Sequence, residues 1–269
     1  MRNLLGKGLV LASLAIGAPA VAADLPLKAP PPMVAPAFSW TGFYIGVNGG
    51  GAWGDSDLST ATIFSPTGYF AASSVPAINA VGQQHVNPSG GTAGGQVGYN
   101  WQSGVVVYGV EADIEWLGLS GTATGSAVYP CCAPTSFTVS SSMKSDWLFT
   151  LRPRLGFAAN NWLLYVTGGL AVANVKANFL FTDNFATALE AAAISETKVG
   201  WTAGVGAEYA FAGRWSAKVE YLHVDLGSTS VTSTNLTAFT PPIAFPTNVF
   251  GHSVNLTTDI VRAGINFRL

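Results

Sequence analysis

Trp40 to Gly54 reads WTGFYIGVNGGGAWG, and its alternation decides the fold. Phe43, Ile45, Val47 and Trp53 share one face at period two, while Tyr44, Gly46, Asn48 and Gly50 share the other. That is the rhythm of a strand, not of a helix. One face is apolar and flanked by aromatics; the other is small and polar, with no charge before Asp55. A strand of a soluble sandwich would more often carry charges on its outer face. The polarity predicts a membrane-spanning β-strand, the first of a closed barrel with lipid outside.

The rest of the chain repeats the pattern. Charged residues are only 10% of the 269, well under the ~25% of soluble domains. Beyond the N-terminus no run of ~18 apolar residues offers a helical span. In the stretch from Thr92 to Gln102, Ala93, Val97, Tyr99 and Trp101 alternate with Gln96, Gly98 and Asn100. Val106 to Trp116 sets Tyr108, Val110, Ala112 and Ile114 against Glu111, Asp113 and Glu115. Trp147 to Phe157 sets Phe149, Leu151 and Leu155 against Arg152 and Arg154. Four more alternating stretches start near Trp162, Val199, Trp215 and Val261, the last reaching the C-terminal Leu269. Between them, tight turns at Ser103-Gly104, Asn160-Asn161 and Ala212-Gly213 take turns with longer segments near 55–88, 118–143, 178–197 and 227–253. The expected fold is all-β: an eight-stranded antiparallel transmembrane β-barrel with four long extracellular loops and short periplasmic turns. The opening strand should close the ring against the last.

The tryptophans fit two membrane interfaces, where amphipathic rings are favoured. Trp40, Trp101, Trp162 and Trp215 fall beside the termini or short turns, and Trp53, Trp116, Trp147 and Trp201 beside the long segments. At the N-terminus, Arg2 and Lys7 precede an apolar stretch and the small residues Ala20 to Ala23. Residues 1–23 therefore read as a cleaved signal peptide. The Pro-rich stretch 24–38 reads as an extended periplasmic spacer, leaving 39–269 for the barrel.

Inward parity gathers Glu111, Asp113, Glu115, Arg152, Arg154, Glu208, Lys218, Glu220, Arg262 and Arg268 in the lumen. Such a set could form a polar path for ions or small solutes. An ion-pair network is the stronger expectation, because an eight-stranded barrel is just wide enough for its own side chains. His85, His223 and His252 read as loop or strand-end residues without catalytic or metal-ligand spacing, so no catalytic residue, metal or cofactor is expected. The adjacent Cys131 and Cys132 can form a vicinal disulfide, pair between molecules or stay free. A net charge of -2 and the lack of basic patches argue against a nucleic-acid partner; any host or surface ligand of the long segments stays unassigned.

The opening WTGFYIGVNGG, LYVTGG at 164–169, VGWTAGVGAEYAF at 199–211 and WSAKVEYLHVDLG at 215–227 resemble one family. It comprises the small outer-membrane immunogenic, or porin-family, β-barrel proteins of Gram-negative bacteria. The segment ADLPLKAPPP after the signal is similar to the family's N-terminal extension. The resemblance implies an outer-membrane location, lipid and lipopolysaccharide as surroundings, and a structural or surface-antigen role, with a narrow passive porin as the alternative. It also implies delivery to the barrel-assembly machinery through the C-terminal strand, which in such proteins usually ends on an aromatic residue. Here the end is Phe267-Arg268-Leu269. Leu269→Phe should therefore leave the yield of folded barrel unchanged or raise it, as read from heat-modified gel mobility of the membrane fraction; a clear fall would count against that role for the terminus.

Overall fold

The computed structural model describes residues 38–269; the signal segment and nearly all of the Pro-rich extension lie outside the described residues. Among these, eleven strands form one sheet. They are β1 (Gly42–Thr62), β2 (Gln83–Val86), β3 (Ser89–Ser103), β4 (Val106–Val128), β5 (Ser136–Ala159), β6 (Trp162–Asp183), β7 (Leu189–Ala212), β8 (Trp215–Ser233), β9 (Thr237–Ala238), β10 (Ile243–Ala244) and β11 (Phe250–Arg268), with one helix, α1 (Ser74–Val81). The long strands pair antiparallel in chain order from β3 through β8, then β8 with β11 and β11 with β1, and β1 with β3. The ring is closed. Tyr44 lies opposite Arg268 and Val47 opposite Ile265, so the opening stretch is indeed the closing seam.

Between the two ends of the ring, outward residues are apolar: Phe43, Ile45, Val47, Val97, Val110, Ile114, Leu151, Val205 and Val219 are all exposed. Inward residues on the same strands are polar, among them Asn48, Gln96, Thr150 and Asn266, all buried. Two rings of the lumen need glycine opposite them. A Cβ on Gly98 would lie 2.3 Å from the Tyr44 ring, and one on Gly206 2.3 Å from the Tyr165 ring, so each tyrosine lies flat on the neighbouring backbone.

Beyond the Trp53 end the structure departs from the expected loops. The segments 118–143 and 178–197 are mostly strand, and so are the flanks of 55–88 and 227–253. Strands of 19 to 24 residues greatly exceed the ~9–11 needed to cross a bilayer. Alternation persists there with its sense reversed. Leu117, Leu119, Met143, Val175, Phe179, Phe137, Phe181 and Phe250 point in and are buried, while Thr122, Thr124 and Ser126 point out opposite Ser142, Ser140 and Thr138. A search for apolar-out alternation passes over such strands, because they follow the rule of a soluble barrel. Helix α1 caps this apolar core by inserting Ile78, which is fully buried.

The β7–β8 ladder stops at Trp201↔Asp225. Beyond it side chains bridge the two strands: Lys198 Nζ donates to the Ser228 carbonyl at 2.9 Å, Thr229 Oγ1 to Glu196 at 2.7 Å, and the Ser233 hydroxyl to Glu190. Near the same rim β2 takes the place of β3 beside β1. There His85 Nδ1 lies 3.0 Å from Asp57 and its Nε2 3.6 Å from Asp55. The hydrogen bond to Asp57, and then the charge of Asp55, raises the His85 pKa; the same bond lowers that of Asp57. A raised histidine pKa adds stability below the ordinary histidine range, and this is lost as pH rises through the folded value. The His85 ring should titrate above an ordinary histidine when followed by NMR, and Asp57→Asn should bring its midpoint down.

Candidate functional site

The densest chemistry in the fold is the charged layer inside the ring. Cross-strand register sets it up: Glu111 lies opposite Arg152, Glu208 opposite Lys218 and Glu220 opposite Arg262. Because these positions share inward parity, their side chains meet across the lumen. Arg152 is the hub. Its guanidinium donates to Glu111 at 2.7 Å, Asp113 at 2.8 Å and Glu220 at 3.2 Å, and its Nε donates to Thr150. Arg262 reaches Asp113 at 3.1 Å and Glu220 at 2.5 Å, and also contacts Glu115. Lys218 donates to Glu111 at 2.9 Å, and Arg154 pairs with Glu208 at 2.9 Å. Each of these nine charged side chains is at most 3% exposed as a residue.

Neutral groups complete the network. Tyr44 donates to Glu111 at 2.8 Å and accepts from Arg154 at 2.8 Å. Tyr165 donates to Glu220 at 3.0 Å, and the Arg154 guanidinium lies 4.0 Å from the centre of its ring. Thr150 donates to Asp113, Thr92 to Glu115, and Ser216 and Asn266 to Glu208. Charge alone singles out the ionic members in the sequence. The neutral ones share only their inward parity, which Tyr165 and Thr92 display as well as Glu111 does.

Of the expected lumen charges Arg268 stands apart. It lies at the short-turn mouth with its guanidinium 4.1 Å from the centre of the Phe38 ring. Trp40 also departs from expectation: it is not part of an outer girdle but buried, 3% exposed, against Val107, Ala158, Leu163 and Tyr165. Trp40 has the even parity of inward-facing Tyr44 and Asn48, so the alternation that places Phe43 outside already points Trp40 inward; only its position beside the terminus suggests a girdle. The Trp40 amide instead donates to Gln102 at 2.7 Å and its ring packs edge-on to Phe38. At this mouth the space left between Trp40, Tyr44, Glu208 and Arg268 is a cavity of about 10 Å³, room for one water at most.

The other tryptophans face outward. Trp53, Trp101, Trp116, Trp162, Trp201 and Trp215 are exposed, and Trp147 is half-buried opposite Trp116. Trp101 stacks on Tyr108, Trp162 packs on Tyr209 and Trp215 on Phe267.

The histidines sit in strands rather than loops. His252 is buried between Thr60 Oγ1 at 3.0 Å and Glu190 at 3.2 Å, beside Phe179. Its inward parity with Phe250 and Val254 was the signal that a loop assignment discards. His223 lies 2.8 Å from Asp259. Asp55, Asp57 and His85 bring ligand-type atoms within 4.8 Å of one another, all exposed; exposed acidic groups often cluster in this way without an ion. Cys131 and Cys132 form a vicinal disulfide.

The chain matches the family described as "Outer membrane protein beta-barrel domain" over residues 8–240. It is 34% identical to the 31 kDa outer-membrane immunogenic protein of Brucella melitensis, over 97% of this chain and 99% of that one. It is 30% identical to the 22 kDa outer membrane protein of Rhizobium leguminosarum bv. viciae, over 72% and 68%. Among solved structures, the outer membrane protease OmpT from Escherichia coli aligns with a TM-score of 0.42 at 8% identity, covering 88% of this chain and 99% of that one, a likeness too loose to carry chemistry. The outward apolar band and these relatives put the protein in the outer membrane. A closed antiparallel ring with an inward charged layer and outward aromatic rims is the form this kinship takes here, and the chain belongs to the outer membrane protein beta-barrel family.

Proposed function

We propose that the ring is an eight-stranded transmembrane barrel with a filled lumen, serving a structural and surface-antigen role in the envelope. Its short turns would face the periplasm and its strand extensions the exterior. The observation that carries this reading is the mutual pairing of Arg152, Arg262, Lys218 and Arg154 with buried carboxylates. These charges face one another rather than an aqueous path. The apolar core and α1 on one side and Trp40 on the other add further closure. The names of the relatives, outer-membrane immunogenic proteins, support a surface role rather than an enzymatic one.

Outer-leaflet lipopolysaccharide is the proposed surrounding. Lys144 and Lys176 lie opposite each other on the outer face, beyond Trp147, where they can meet lipid phosphates. The barrel-assembly machinery is the proposed partner of β11, whose Phe267 is paired with Trp215 and Ile45. Planar-bilayer recording of the refolded protein tests the filled lumen: no steady channel events are expected. A reproducible unitary conductance would sink it in favour of a narrow passive porin.

A further inference from the structure

At the outward tip, the turns after β1, β4 and β6 enclose a cavity of about 200 Å³, walled by Tyr69, Phe70, Tyr129 and Phe185 with the Cys131–Cys132 disulfide. Behind the wall lies Asp183, at the end of β6. One of its carboxylate oxygens accepts from the Tyr69 hydroxyl at 2.6 Å and the Tyr129 hydroxyl at 2.9 Å. The other accepts from the backbone N–H groups of Ala186 at 3.3 Å and Ala188 at 2.7 Å. All four partners are neutral, so the negative charge is solvated by donors but not cancelled. Charge-assisted bonds from two phenols hold both rings at the wall and push electron density into them. Burial, and then Asp183, raises the pKa of both hydroxyls well above that of an ordinary tyrosine, so both remain donors.

We propose that this cavity binds a small methylated ammonium group, such as the trimethylammonium head of a choline compound. Aromatic faces attract such cations through their ring quadrupoles, and the Asp183 charge reinforces that field from behind. The volume is below the ~300–1,000 Å³ of drug-sized pockets, which favours a compact head over a larger molecule. A primary ammonium needs hydrogen-bond acceptors, and the Asp183 oxygens are already engaged by four donors. A strongly hydrated metal ion would find mainly rings and a disulfide, with one serine hydroxyl (Ser74) in place of a set of oxygen ligands. A methylated cation donates no conventional hydrogen bond and loses little water, so it suits a wall of this kind. The site stands apart from the lumen network and is independent of whether the barrel conducts.

Calorimetric titration of the refolded full-length protein, in a sugar-headed detergent free of choline groups, tests the assignment. Choline should bind saturably. Its neutral analogue of the same shape, 3,3-dimethyl-1-butanol, and unmethylated ethanolamine should bind about tenfold more weakly or worse. Phe185→Leu changes an exposed side chain and should weaken choline several-fold while the heat-modified gel shift stays intact. Asp183→Asn should erase the preference for the charged ligand over the neutral one. Equal affinity for choline and its neutral analogue, no saturable binding, or choline binding that is indifferent to Phe185→Leu would each overturn the proposal.

Discussion

Arg152→Ala should cost about 3–5 kcal/mol of barrel stability, the range measured when one partner of a buried ion pair is removed. Arg152 is fully buried and bonded to Glu111, Asp113 and Glu220 at once. Its removal leaves three carboxylates facing one another, with Lys218, Arg262 and, 3.5 Å from Glu111, Arg154 left to compensate in part. Against a typical total of ~5–15 kcal/mol, that is a large fraction of what holds the fold. The midpoint of urea unfolding in detergent or lipid, followed by tryptophan emission, should fall steeply. A variant that replaces Arg152, Lys218 and Arg262 together with Glu111, Asp113, Glu115 and Glu220 by apolar residues of similar volume, leaving the Arg154–Glu208 pair, should recover much of the loss, since a complete buried network can often be exchanged for packing at little cost. An Arg152→Ala midpoint within error of the parent would contradict the hub role.

The second large effect uses the same residue type one position earlier. Leu151 is exposed on the outward apolar face between Ala112 and Leu170, four residues from Trp147 and six from Phe157. Leu151→Arg should therefore destabilise by about 2–4 kcal/mol, as arginine does on the lipid face near the midplane. Arginine is thus required at 152 and costly at 151, and a one-residue slip of β5 would expose Arg152 and Arg154 together. The fall in unfolding midpoint should diminish when the substitution moves to Phe157, near the rim. A flat response along the strand would mean that this face does not meet hydrocarbon.

The half with apolar residues outside was legible in the chain because its rule is strict. Phe43 to Trp53, Val106 to Trp116 and Trp147 to Phe157 alternate without a break, and the charges among them share one parity. That was enough to bring Glu111 to Arg152, and β1 to β11. Four features escaped for separate physical reasons. Trp40 shares the inward parity of Tyr44, but its place beside the terminus outweighed that parity and put it with the girdle. The outer extensions alternate in the opposite sense, with Ser and Thr outside, and read as polar loops to an eye set for apolar-out strands. The side-chain bridges between β7 and β8, with buried Glu190 and His252, depend on a register lost beyond Trp201, and no spacing within either strand encodes that. The Tyr69–Asp183–Tyr129 arrangement likewise joins three connections far apart in sequence, none with a motif.

The reversal of polarity along each strand has a consequence for how the chain reaches its place. A barrel with lipid outside along its whole length finds no favourable state in water. Here only the turn-side half is written for hydrocarbon. The half bearing Phe137, Phe179, Phe181 and Phe250 inside and hydroxyls outside is written for an aqueous surrounding. Apolar burial can drive that half together before insertion, while the strands below it still expose an unsatisfied apolar band. A chain in transit is therefore divided between a part that can collapse and a part that must stay open.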